Sequence, residues 1–120
     1  MPRTVLFVYG TLKTGQANNK LLAKQEFLGH AVTLPIYRLY GLGWHPGLVT
    51  DTDHGLSIEG ELWGVDGRTL AELDEYEGVP HWFDRGPIAL RDAVGDFQAY
   101  FFKQAVPADA PTGAVWPFPA

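Results

Sequence analysis

From Ser57 to Val65 the chain alternates: Ile58, Gly60, Leu62 and Gly64 fall on one side of a strand, and Glu59, Glu61, Trp63 and Val65 on the other. Two glycines on one face leave nothing to hold a neighbouring backbone away, so this strand belongs in a tightly curved sheet or small barrel. The remaining segments supply partners. Arg3–Tyr9 is rich in β-branched and aromatic residues, ends at Gly10 and is expected to lie centrally. Phe27–Leu34 and Ile36–Tyr40 read as strands separated by Pro35, Leu48 and Val49 begin another, and Phe83–Arg91 with Phe97–Lys103 make a hairpin around residues 92–96. Two helices are expected. Ala17–Lys24 offers Leu21 and Leu22 as an apolar face; Arg68–Glu77 has Asp66 as N-cap, or Thr69 with Glu72 as a capping box, and Gly78 as its stop. The tail from Pro107 holds four of the nine prolines and reads as irregular, with Trp116 and Phe118 packed against the body. This order predicts an α+β fold, a small mixed β-barrel built on a strongly bent sheet with two flanking helices, in one domain over residues 1–120.

Composition removes several classes of function. With no cysteine there are no disulfides, thiolate metal sites or cysteine nucleophiles. His30, His45, His54 and His81 show no close pair at metal-ligand spacing, so neither a metal nor another cofactor is expected. A net charge of −5 without a basic cluster argues against nucleic acid as a partner. No apolar stretch approaches the roughly 20 residues of a membrane span, and Val5–Val8 is too short for the core of a signal peptide, so the expected location is cytoplasmic. Ser57 is the only serine and lacks an elbow motif. The sequence does not fix an oligomeric state.

Two local features carry chemistry. At about 100° per residue, Leu70, Leu73 and Glu77 fall within roughly 60° of one another, so Glu77 shares the stripe by which the second helix meets the core. Burial and the negative end of the helix dipole both raise a carboxyl pKa there, from about 4.3 toward neutrality, as a general base requires. Two plainer outcomes remain open: fraying of the helix end into solvent, and pairing of Glu77 with Arg85 or a backbone amide. The second feature is Tyr9-Gly10-Thr11-Leu12, where the chain reverses after a strand and leaves amide N–H groups unpaired, with glycine allowing a ligand close to the backbone. Such a concave set of donors binds a carboxylate or phosphate, though the same letters also make an ordinary turn. Glu59 and Glu61 read as a solvated or rim face, and Asp74 as a residue of the helix end or a hydrogen-bond partner rather than a catalyst.

Taken together, Phe7-Val8-Tyr9-Gly10-Thr11-Leu12-Lys13 with Gly15-Gln16 and Asn18, then Glu59-Gly60-Glu61-Leu62 with Val65-Asp66, then Leu73-Asp74-Glu75-Tyr76-Glu77 with Pro80 and Arg85, resemble the gamma-glutamylcyclotransferase-like family, and most closely its gamma-glutamylamine cyclotransferase branch. The resemblance runs from residue 5 to about residue 103. It implies a small mixed β-barrel with flanking helices and a small-molecule γ-glutamyl amide as substrate. It further implies conversion of that amide to 5-oxoproline and a free amine, with the Tyr9–Leu12 loop holding the substrate's α-carboxylate end and Glu77 as general base. Phe83 and Phe102 stand where the family tends to have tyrosine, with Tyr100 nearby. The leaving amine is expected to face the loops Trp44–Gly47 and His81–Phe83. A noncatalytic domain that keeps the pocket and binds a small carboxylate or amide is the alternative.

Overall fold

The computed structural model describes residues 3–118. Its sheet contains β1 (Thr4–Val8), β2 (Glu26–Val32), β3 (Tyr37–Gly41), β4 (Pro46–Thr50), β5 (Glu59–Val65), β6 (Phe83–Pro87), β7 (Phe97–Phe102) and β8 (Thr112–Gly113). The strand order is β2-β5-β1-β7-β4-β3-β8, with β6 also paired to β7, and the sheet curls into a half-barrel. Pairing is antiparallel except for β1 with β7 and β4 with β7.

One helix, α1 (Gly67–Tyr76), flanks the sheet, and the predicted helix over Ala17–Lys24 is instead a single 3-10 turn at Asn19–Leu22. Asn18, at the cap position, turns its side chain elsewhere, to Thr11 Oγ1 and the Tyr76 hydroxyl, so nothing caps the turn. The expected shared face fails with it: Leu22 is buried and Leu21 is exposed. The Phe83–Arg91 strand is also shorter than expected and ends at Pro87; one more bond to β7 follows, from the Ile88 N–H to the Phe97 carbonyl at 2.9 Å, before the chain crosses to β2, where the Arg91 N–H donates to the Val32 carbonyl at 2.9 Å. The tail, expected to be irregular, adds β8 to the edge of β3, and Trp116 and Phe118 pack on the core as predicted.

β1 is central and buried on both faces, which explains its unbroken apolar run. Leu6 and Val8 meet Trp63, Val65, Leu70 and Leu73 on the α1 side. Phe7 and Tyr9 point into the curl, against Leu39, Leu48 and Ile58. The close approach expected of the β5 glycines is real at Gly60, where an added Cβ would lie 2.5 Å from the Val8 carbonyl oxygen and 2.6 Å from the Phe7 ring. At Gly64 the nearest atom is 3.4 Å away, at the end of a Glu26 side chain. Gly60→Ala is therefore expected to cost about 2 kcal/mol in urea denaturation, with Gly64→Ala within about 0.5 kcal/mol of the parent.

The place of β7 decides where a pocket can form. One of its edges is filled by β6. The opposite edge is shared: Val5 and Leu6 of β1 pair with Phe97 and Gln98, and Leu48 of β4 pairs with Phe101. Since β4 takes over this edge, β1 must leave it, and the chain turns away at Tyr9.

Candidate active site

The turn that results is closed by a hydrogen bond from the Lys13 N–H to the Gly10 carbonyl at 3.1 Å. The N–H groups of Gly10, Thr11 and Leu12 donate to no protein acceptor among the described residues. What lies over Gly10 is Pro46, whose ring carbons would be 2.8 and 2.9 Å from an added Cβ. The missing side chain thus admits β4 at close range.

The loop beyond the turn is held from beneath by Glu61, and here the sequence reading needs correction. Glu61 is buried, not on a solvated rim; its Oε1 accepts hydrogen bonds from the Thr14 N–H at 2.9 Å, the Thr14 hydroxyl at 3.1 Å and Trp63 Nε1 at 3.1 Å. On the same strand Glu59 stays exposed. Lys13 Nζ donates to the Trp116 carbonyl and is held below its usual pKa by burial, which the charges of Glu61 and Glu59 oppose.

On the far side of the cavity, α1 begins with the Asp66 side chain accepting the Thr69 N–H at 2.8 Å and ends in a Schellman turn. There Gly78, at φ 71°, donates to the Glu75 carbonyl and Val79 to that of Asp74. Glu77 occupies the C-cap and stays in helical conformation, its N–H bonded to Leu73, so the end does not fray into solvent. Nor does Arg85 pair with it. Arg85 is bidentate to Asp74, at 2.8 and 2.9 Å, and Asp74 Oδ1 also accepts the Tyr100 hydroxyl at 2.7 Å. Burial acts to raise the Asp74 pKa, but the hydrogen bonds from Arg85 and Tyr100 and the Arg85 charge outweigh it, and the carboxyl is held below its ordinary value.

Glu77 is left without an ion-pair partner among the described residues. Burial pushes its carboxyl from 4.5 up to about 7. Three phenols feel its charge: Tyr9 and Tyr76 are raised first by burial and then by Glu77, and Tyr100 by burial, then by its hydrogen bond to Asp74 and the charge of that carboxylate, and least by Glu77. Tyr9 in turn donates to the Tyr100 carbonyl at 2.7 Å.

Tyr9, Gly10, Thr11, Leu12 and Glu77 all line one cavity of about 480 Å³. Leu42, Trp44 and His45 of the β3–β4 connection and Pro46 at the start of β4 close another side, together with Trp82 and Phe83. Tyr76, Tyr100 and Phe102 also face it, over a floor that includes Phe7 and Val8 of β1. Of these, Leu42 and Tyr76 were not expected in the site; Tyr76 entered only as a letter of the motif that ends in the candidate acid. Among the described residues no three His, Asp or Glu side chains come together as a metal site, and no helix is long and apolar enough to cross a membrane.

A sequence model described as gamma-glutamyl cyclotransferase, AIG2-like, matches residues 6–117. The chain belongs to this family. A putative gamma-glutamylcyclotransferase of Vibrio cholerae is 44% identical over 84 residues, covering 70% of each chain. The gamma-glutamylaminecyclotransferase of Bos taurus is 37% identical in an alignment 109 positions long that covers 83% of this chain and 65% of the bovine one, just under two thirds. The crystal structure of an AIG2-like protein from Mus musculus superposes with a TM-score of 0.79 at 26% identity, covering 97% of this chain and 89% of the mouse chain. The family's region thus includes the turn after β1, the β5 strand and the end of α1, and all three contribute to the cavity or its support.

Proposed function

We propose that this cyclotransferase-family chain converts a γ-glutamyl amide to 5-oxoproline and a free amine, with Glu77 as general acid and base. The observation that carries this reading is an unpaired carboxyl with a pKa near 7 on the same cavity as three free backbone N–H groups. The relatives named as gamma-glutamyl and gamma-glutamylamine cyclotransferases support the substrate class.

The reaction needs little beyond orientation and a proton shuttle. The substrate's α-amino nitrogen attacks its own side-chain carbonyl carbon, so nucleophile and electrophile already share one molecule. The amides of Gly10, Thr11 and Leu12 hold the α-carboxylate and with it the folded conformer. Starting from the neutral amine, Glu77 takes one N–H proton as the ring C–N bond forms. It returns that proton to the departing nitrogen as the amide C–N bond breaks. The balance is one amide in, one lactam and one amine out, without water. A carboxyl near pKa 7 suits both halves, since it accepts and gives back a proton with little bias at neutral pH.

The test is release of 5-oxoproline from a panel of γ-glutamyl amines, γ-glutamyl amino acids and γ-glutamyl-ε-lysine. Because both the carboxyl and the attacking amine must start deprotonated, log kcat/KM for a good substrate is expected to rise with pH at a slope of about two below about pH 7 and about one above it, and to flatten only beyond the titration of the substrate's own amine. Binding of these amides without any 5-oxoproline would make the domain a noncatalytic receptor and overturn the proposal.

A further inference from the structure

The outer part of the cavity is built from rings. Trp44, His45, Phe83 and Phe102 form a continuous series, with centroids 4.5, 6.1 and 5.4 Å apart in successive pairs. Trp82 stands beside the acid. Its backbone N–H donates to the Gly78 carbonyl at 2.8 Å, and its ring covers Gly78 so closely that an added Cβ would lie 2.9 Å from Cδ1. Gly78 directly follows Glu77, and Glu77 and Trp82 line the same cavity. Although both line the cavity, Trp44 and Trp82 are 65% and 54% exposed. A ligand laid against them removes a large apolar area from water.

Charge narrows the choice of ligand. No Lys or Arg lines the cavity, and no cation counters the upward shift of Glu77. An adjoining groove of about 440 Å³ shares Leu42, Trp82 and Phe102 with the cavity and carries Asp109. A second carboxylate, on the amine half of the substrate, would meet no counter-charge there and one like charge.

We infer that the amine released from this site carries an aromatic ring on a short alkyl spacer and no carboxylate, with Trp82 as the main specificity determinant. The preferred substrates are γ-glutamyl arylalkylamides. The inference rests on the cyclotransferase reading of the same site. The α-carboxylate end occupies the turn at Gly10–Leu12, the scissile amide lies at Glu77, and the departing ring stacks on Trp82 and extends toward Phe102 and the adjoining groove.

Three amides separate the terms: γ-glutamyl-phenethylamine, γ-glutamyl-ethylamine without the ring, and γ-glutamyl-phenylalanine with both ring and carboxylate. In 5-oxoproline release by the full chain, kcat/KM for the phenethyl amide is expected to exceed that for the ethyl amide by about 30-fold. It is expected to exceed that for the phenylalanine adduct by at least about tenfold. Trp82→Ala should reduce the first ratio to about threefold, and Trp82→Phe should keep most of it. Calorimetric titration of Glu77→Gln with the same three amides reads the preference without turnover. Equal affinities, or tightest binding of the phenylalanine adduct, would overturn the inference even in an active enzyme. Ring-selective binding with no 5-oxoproline from the parent chain would instead overturn the cyclotransferase reading, and binding of none of the three would overturn both.

Discussion

Glu77→Gln is expected to lower kcat for 5-oxoproline release about 10³-fold while leaving affinity for 5-oxoproline within about twofold. Glutamine keeps the shape of the side chain but accepts no proton at working pH, so the loss falls on the chemical step. The same substitution is expected to stabilise the fold, in a way that depends on pH. The Glu77 carboxyl has a folded pKa of about 7 against 4.5 for the free group, so between these values the folded state holds a proton that the unfolded chain releases. Stability therefore falls as pH rises through that window, and the full penalty is in place above pH 7. Urea titrations at pH 8 are expected to show Glu77→Gln more stable than the parent by about 2 kcal/mol, with the two indistinguishable at pH 4. A glutamine variant that is inactive and no more stable at pH 8 would mean that the carboxyl is solvated or paired, and the general-base assignment would fail with it.

Asp74→Ala is expected to be the most damaging change outside the cavity. Asp74 joins the last turn of α1 to two paired strands, because Arg85 of β6 and Tyr100 of β7 are register partners and both donate to it. Removing it leaves the Tyr100 phenol without its acceptor and the Arg85 guanidinium, only 25% exposed, with Gln98 Oε1 in place of an ion pair. A loss of about 3 kcal/mol in urea denaturation at pH 7 follows. The pH dependence has the opposite sign to that of Glu77. The Asp74 carboxyl is lowered on folding, so its contribution is complete above the unfolded pKa, near 3.8, and disappears as pH falls through the folded value. Parent and variant should therefore converge in strongly acidic buffer. Since Glu77 lies one turn beyond this anchor, kcat is expected to fall about tenfold in molecules that remain folded.

Much of this was legible in the order of residues. The glycine pair of β5, the continuous apolar run of β1 and the Asp66 and Gly78 caps each act through local sterics and hydrogen bonding, so they showed in the sequence what they do in the fold. The convergence of Glu77 with the Tyr9–Leu12 turn was legible for a related reason: an acid on a leucine stripe must go where the leucines go, against β1. What stayed hidden depended on distant partners. Glu61 looked like a rim acid because its neighbour Glu59 is one, and only the Thr14 loop folding over it makes a buried site for a carboxylate. Arg85 had two acids within reach on one helix, and the register of β6 against β7 decided for Asp74. The Ala17–Lys24 segment has helix-forming residues, yet contacts of Asn18 and Asn19 with the preceding turn limit it to one turn of 3-10 helix.

The shared edge of β7 has one more consequence. The donors at Gly10, Thr11 and Leu12 exist because one strand displaces another from a ladder, and main-chain amides are the same whatever side chains they carry. On the proposed reading the anion-holding half of the site is thus encoded in connectivity, and a lineage built on this topology could exchange letters along the loop and rebuild the aromatic rim without having to reinvent those donors.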